Sequence, residues 1–390
     1  MSDIKISREQ ARDFILRSQL LHGPKLKPGL KSVQKVMGHL KTIQVDCISV
    51  AGTNQEIALN SRIENFTPQL LDDFLYKSRL GFEYWLKALS IIPMEHRVYF
   101  RHKAKELEKH HKDFFREYKK ETKEVLQAIE KSGPMTSTDF KSDKKHQGWW
   151  GPEERLVKRI LENLWDSGKI MIHHRKSRMR YYDLTERIES VSDLKPTLNE
   201  YRRRAVLNMY SAMRLFTTKG GSSELWYGGR SFIRQAHQGL IDDGSIIPVE
   251  VENSKLQLFI LKEDESEIFK TSKPDKTMRL IAPLDSMTWN RKLISDIFGF
   301  DCTFEVYKPK PKRIYGYYCP FILYGSELVG RCDIAKNPKE SVMNVEAIFL
   351  EPGFKSSVDF TSKLKDSLDD YQRFLGMEKM KLPPLKAIKK

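Results

Sequence analysis

The pattern Leu-x-x-x-Gly-x-Ile occurs twice, at Leu164–Ile170 and Leu240–Ile246, each time where a helical stretch gives way to a strand-like one. In the first copy Leu156, Val157, Ile160, Leu161 and Leu164 recur at helical spacing and stop at Gly168. "KIMIHHRKSRMRYYDL" (169–184) then alternates as a hairpin with a basic tip of Arg175, Lys176, Arg178 and Arg180. Helices followed by a basic hairpin describe a winged helix, with the hairpin as its wing. In the second copy, 197–216 and 231–243 read as helices and "GSIIPVEVENSKLQLFIL" (244–261) as a hairpin. The copies are about 76 residues apart, longer than the usual solenoid period, so the pattern is a repeated module.

The rest of the chain reads around these modules. Ser7 and Gln10 have capping-box spacing ahead of an apolar stripe of Ala11, Phe14 and Ile15. "HGPKLKPG" (22–29) is a loop, and Val33, Val36, Met37, Leu40 and Ile43 are spaced for one face of a second helix. Two short helices across a tight connection resemble a helix-turn-helix, closed by "FEYWLKALSIIP" (82–93). Residues 98–131 are highly charged with sparse apolar positions, which predicts a solvated connecting helix with one packing face. "GPMTSTDF" (133–140) is a stop and a new start, and "EDESEIFKTSKPDK" (263–276) a polar linker. Beyond it come Gly- and Pro-punctuated alternating strands and one closing helix at 361–375. The expected class is α+β: tandem winged-helix domains, then a C-terminal β-rich, barrel-like domain. The expected boundaries are 1–97, a connecting helix 98–132, 133–190, 191–262 and 276–390.

A chain of 390 residues is too long for one core, and two to four domains are expected. Its formal net charge of +16 points to a polyanionic partner, nucleic acid or an anionic membrane. The N-terminus MSDIKISREQ has no apolar leader region, and no run is long and apolar enough to span a bilayer, so nucleic acid is the better partner. The four cysteines, Cys47, Cys302, Cys319 and Cys332, show neither a C-x-x-C pair nor zinc spacing. They read as reduced thiols of a cytoplasmic protein. His110–His111 and His173–His174 are adjacent pairs that diverge on a helix and chelate poorly, so no metal is expected.

Several constellations remain. The wing interleaves its cations with Tyr181 and Tyr182 and suits a nucleic-acid groove, where basic side chains neutralise phosphates; the plainer alternative is a solvated hairpin whose tyrosines face the core. "GWWGPEER" (148–155) reads as a buried tryptophan anchor near a helix start. In "YKPKPKRIYGYY" (307–318), prolines hold the chain extended while Lys308, Lys310, Lys312 and Arg313 point outward. That stretch is equally a phosphate tracker and a charged edge strand protected from pairing. Walker A, dinucleotide, HExxH and GxSxG motifs are absent, so nucleotide hydrolysis and serine or zinc hydrolase chemistry lack support. In "KTIQVDCISV" (41–50), Gln44 and Asp46 fall on one side of an extended segment and can converge on a point. The residues alone favour the plainer reading, in which Asp46 caps the next turn and Gln44 lies on the surface.

The order of landmarks adds to this. "IQVDCISV", "SRI" (61–63), "EYWLKALSIIP" (83–93), "GWW", "YYDLTERI" (181–188), "APLDSMTWNRK" (282–292), "FGFD" (298–301), "PKRIYGYY" and "LEPG" (350–353) resemble the YcaQ-like DNA glycosylases over nearly the whole chain. These belong to a winged-helix crosslink-repair superfamily that includes the AlkZ-like enzymes. The resemblance implies hydrolysis of the N-glycosidic bond of alkylated purines in double-stranded DNA: N7-alkylguanine and interstrand crosslinks, in base excision repair. It implies a Gln-apolar-Asp catalytic signature, here Gln44-Val45-Asp46, with no metal or cofactor and a monofunctional mechanism. The resemblance carries roles to Gln44 and Asp46 alone; Arg62, Arg175, Lys176, Arg178, Arg180, Lys312 and Arg313 are expected to bind DNA as basic residues of a chain with a large positive charge. The implied enzyme is a monomer in the cytoplasm, associated with the nucleoid and not with a membrane. In that setting Cys47 is expected to be packing. The competing reading is a non-catalytic winged-helix regulator, and the departure in spacing is the long charged segment 98–131.

Overall fold

The computed structural model describes residues 4–147, 153–189, 192–217, 229–273, 276–383 and 386–387. Two compact units divide the chain, one built from Met1–Leu71, Trp85–Ile91 and Ala205–Lys390 and the other from Asp72–Tyr84 and Ile92–Arg204. The tryptophans of "GWW" lie outside the described residues.

In the first unit the capping box forms as its spacing predicts. Ser7 Oγ accepts the Gln10 N–H at 3.1 Å, and the Ser7 N–H donates to Gln10 Oε1 at 2.9 Å. The helix Arg8–Ser18 buries Phe14, Ile15 and Leu16 in a core shared with Leu215, Val249, Ile260, Ile281, Leu293 and Phe321. The predicted 244–261 hairpin forms from Ile246–Val251 and Leu258–Leu261. It gains a third strand, Lys5–Ile6, parallel to the first. Two residues are too few to show alternation in sequence, and backbone pairing alone places them.

Leu30–Leu40 is the second helix, with Val33, Val36, Met37 and Leu40 buried. It stops one turn earlier than its apolar spacing suggests, because Lys41 is left-handed at φ 60°. Ile43, expected on that helix, instead opens the strand Ile43–Gln44, antiparallel to Leu89–Pro93. Toward the C-terminus five strands are neighbours in the order Met278–Ile281, Phe321–Tyr324, Glu327–Asn337, Val342–Leu350 and Lys379–Lys381. Lys386–Ala387 also pairs with Val342–Leu350. This is an open sheet; among the described residues it does not close into a barrel. The closing helix, Val358–Phe374, buries Phe360, Leu364, Leu368 and Tyr371.

In the second unit the expected single helix over 98–131 is three: Arg101–His110, Lys112–Glu117 and Lys119–Ser132. The breaks fall at His111 and Tyr118, whose ψ angles of 7° and 38° leave the helical region. Phe114 and Tyr118 flank His146 beside these breaks, with ring centroids 5.3 and 5.5 Å away. The helix Leu156–Asp166 buries the predicted leucines together with Trp165. Gly168 follows at φ 68°, and a Cβ there would lie 2.9 Å from that of Ala104. Conformation and space both demand glycine at this position. The hairpin Ile170–Lys176 and Met179–Leu184 then forms, turning at Ser177 and Arg178. No helix among the described residues is long and apolar enough to cross a membrane.

Candidate active site

The segment between Leu40 and Asn54 is held from both sides. Gln44 pairs with Ser90 across the strand, and the Val45 N–H donates to Leu89 O at 2.8 Å. On the other side stands the short helix Asn54–Asn60, whose capping box joins Thr53 and Glu56. Asn54 Nδ2 donates to Gln44 O at 2.8 Å, and the Asp46 N–H donates to Gln55 Oε1 at 3.1 Å. With the backbone committed in this way, residues 44 and 46 are fixed to within the play of their side chains.

Those side chains are only partly committed. Asp46 Oδ1 accepts the Ile48 N–H at 2.7 Å, the local turn its short side chain favours. Its other oxygen makes no hydrogen bond among the described residues. The capping reading and an available carboxylate oxygen therefore coexist in one side chain. Gln44 Oε1 faces Lys87 Nζ at 3.4 Å, which directs the amide nitrogen the other way. Gln44 and Asp46 are both half-buried, while Cys47 between the turn residues is exposed, contrary to the packing role expected of it. The residue after Asp46 is turned outward by that same Asp46–Ile48 turn.

The surroundings include residues whose landmarks are visible in the sequence but whose roles are not. Lys87 is buried; burial, and secondarily the charge of Arg291, push its ammonium pKa down to about 8. Its Nζ lies 4.9 Å from the Trp289 ring centroid. Tyr318 is fully buried, and its hydroxyl has no hydrogen-bond partner among the described residues. Burial, then the charges of Asp46 and Asp285, raise that phenol well above its ordinary range, so it stays protonated. Asn54 Oδ1 is likewise buried and has no hydrogen-bond partner among the described residues. "EYWLKALSIIP", "APLDSMTWNRK" and "PKRIYGYY" carry Lys87, Trp289 and Tyr318, but nothing in one dimension shows that the first two meet or that Tyr318 feels Asp46.

Arg62 does not stand on the surface. It is fully buried and makes two bonds to Asp285, at 2.8 and 3.0 Å. Its remaining donors reach Gln19 O at 2.8 Å and Ala58 O at 2.8 Å. A phosphate has no access to it, which corrects the expectation of DNA contact: the guanidinium ties three segments of the first unit together.

The basic residues of the 170–184 hairpin split the same way. Arg175 is bonded to the buried Glu83, with Nε 2.9 Å from Oε1. Burial opposes ionisation of Glu83, but the hydrogen bonds and charge of Arg175 outweigh it and hold the carboxyl below its usual range. Arg180 lies over the Trp165 ring, its Cζ 4.9 Å from the centroid. Lys176 and Arg178 are exposed at the tip. Exchanging both for alanine is expected to lower the salt slope of DNA binding by about two, one per lost phosphate contact. Binding measured across a salt series checks this, with Arg175→Ala as the contrast: it strands Glu83 and lowers thermal stability instead.

Residues 306–316 form a loop with a short 3₁₀ turn, Lys310–Lys312, rather than an edge strand. The buried Glu305 carboxylate gathers it, accepting the N–H groups of Ile314 and Tyr315 at 2.9 and 2.7 Å. Lys312 is exposed, and Arg313 is half-buried with its Cζ 4.6 Å from the Tyr317 ring centroid. Tyr307 and Ile314 are 89% and 65% exposed, so apolar side chains accompany the cations at the loop surface. No group of three or more His, Cys, Asp or Glu able to hold a metal occurs among the described residues.

A family model described as "DNA glycosylase AlkZ-like" matches residues 37–374. The chain belongs to the AlkZ-like DNA glycosylase family. That span takes in Gln44 and Asp46, the basic hairpin 170–184 and the C-terminal sheet up to Val342–Leu350. Among solved structures, the fold is similar to that of Streptomyces sahachiroi DNA glycosylase AlkZ, with a TM-score of 0.62 and 15% sequence identity. The match covers 99% of this chain and 100% of that one. An AlkZ-like glycosylase acts on DNA, and the surplus of cations in this chain suits that substrate.

Proposed function

We propose that this AlkZ-like protein is a monofunctional glycosylase that hydrolyses the N-glycosidic bond of alkylated purines, N7-alkylguanine above all, with Gln44 and Asp46 as its catalytic residues. The observation that carries the reading is the pinned Gln44-Val45-Asp46 strip, with an amide nitrogen and a carboxylate oxygen left uncommitted two residues apart. Alkylation at N7 makes guanine cationic, and departure of the base carries the bonding electrons away and neutralises it. The deoxyribose C1′ becomes oxocarbenium-like and must be trapped by water. The carboxylate of Asp46 stabilises that positive charge and takes the proton from the attacking water. The Gln44 amide donates to the same water and fixes its position. Because the leaving base is already cationic, no strong general acid is required.

The half-exposed setting of both side chains supports a substrate tethered to a second strand, which cannot be swung whole into a closed pocket. Crosslink unhooking is therefore part of the proposal. The helix-plus-hairpin modules are read as winged helices over 1–97, 133–190 and 191–262, with 98–132 connecting them and 276–390 as the β-rich domain. Lys176, Arg178, Lys312 and Arg313 are read as phosphate contacts. The test is incubation with duplex DNA bearing N7-methylguanine or a mustard crosslink, followed by alkali. Strand breaks at the lesion are expected. A protein that shifts the DNA in a gel but leaves no alkali-labile site is a binding protein, and the proposal fails.

A further inference from the structure

We infer that Lys87 is a positioning residue for glycosidic hydrolysis: its ammonium holds the Gln44 carboxamide oxygen, so that the amide nitrogen is the end presented to water. This rests on the proposed role of Gln44. An amide has two ends of nearly equal size, and its neighbours decide which faces where. Lys87 Nζ can only donate, and it stands 3.4 Å from Gln44 Oε1.

Stability does not account for this lysine. It is 6% exposed, makes no ion pair with a carboxylate among the described residues, and lies against the Trp289 ring with Arg291 as a like charge nearby. Desolvation and Arg291 both disfavour the charged form, and one long hydrogen bond and the face of the Trp289 ring offset only part of that, since the pKa is still lowered. A methionine of similar length keeps an apolar contact with the Trp289 ring and carries no charge to desolvate. Its place just before the strand Leu89–Pro93 sets the group beside the Gln44 amide that is proposed to hold the water.

Protonation gives the test its signature. Burial is the larger cause of the lowered pKa and Arg291 the other, so the ammonium is lost as pH rises past about 8. Single-turnover excision of N7-methylguanine is expected to fall above that pH in the parent protein. In Lys87→Met the rate at pH 7 is expected to drop roughly 10- to 100-fold, the scale of one charged hydrogen bond. It should show no further decline above pH 8, with DNA affinity and melting temperature unchanged. In a Gln44→Ala background, Lys87→Met should cost nothing more. A parent profile that is flat through pH 8 to 9 would overturn the inference. So would full activity in Lys87→Met, or an equal loss in both backgrounds. Borohydride trapping of a covalent complex with abasic DNA through Lys87 would also overturn it, making the amine a nucleophile. Full activity in Gln44→Ala would instead remove the reading on which the inference rests.

Discussion

Asp46→Asn is expected to retain DNA binding and lose roughly 100- to 10,000-fold in single-turnover excision, the combined scale of a lost general base and a lost charge at the reacting centre. The substitution is chosen to spare the fold. An asparagine oxygen still accepts the Ile48 N–H, so the turn after residue 46 is kept. Lost are the negative charge and the oxygen able to take a proton from water. Alkali-labile breaks in N7-methylguanine duplex, measured with enzyme in excess, check the rate, and a gel shift checks binding. Equal activity in variant and parent would remove Asp46 from the mechanism.

Arg62→Leu carries the second large effect, on stability. Its guanidinium and the Asp285 carboxylate are both buried, 0% and 1% exposed. Removing one partner leaves the other charge buried without compensation, at a cost of about 3–5 kcal/mol. The double variant Arg62→Leu/Asp285→Leu should recover much of that loss, because no stranded charge remains. Urea unfolding of the three proteins decides the matter. An Arg62→Leu protein with parental stability and a reduced salt slope for DNA would put Arg62 back on the DNA surface.

Much of the chain was legible where the signal is local. The Ser7–Gln10 capping box, the stripe of Leu156, Ile160 and Leu164, and the alternation of 169–184 each need only neighbouring residues, and each forms. Local pattern gives way where it meets a backbone or tertiary constraint. Ile43 has the right spacing for the second helix, yet Lys41 turns left-handed before it and a strand begins. Residues 98–131 are helical in propensity, but the backbone leaves the helical region at His111 and Tyr118 and the stretch forms three helices. Charge misled most. Four basic residues at a hairpin tip look alike in sequence, whereas Glu83 and Trp165 claim two of them.

The candidate site divides along the same line. Gln44-Val45-Asp46 and the landmarks around it are contiguous words, so the sequence by itself determined the family resemblance and the two residues to suspect. Period and spacing likewise determined the helix-plus-hairpin modules. Only the tertiary structure decided which charges are solvent-facing and which are spent. Arg62 meets Asp285 across 223 positions, and Lys87 meets Gln44 across 43 and Trp289 from another segment. Desolvation and Coulomb attraction act through space and fall off within a few ångströms, so they depend on neighbours that no one-dimensional pattern records.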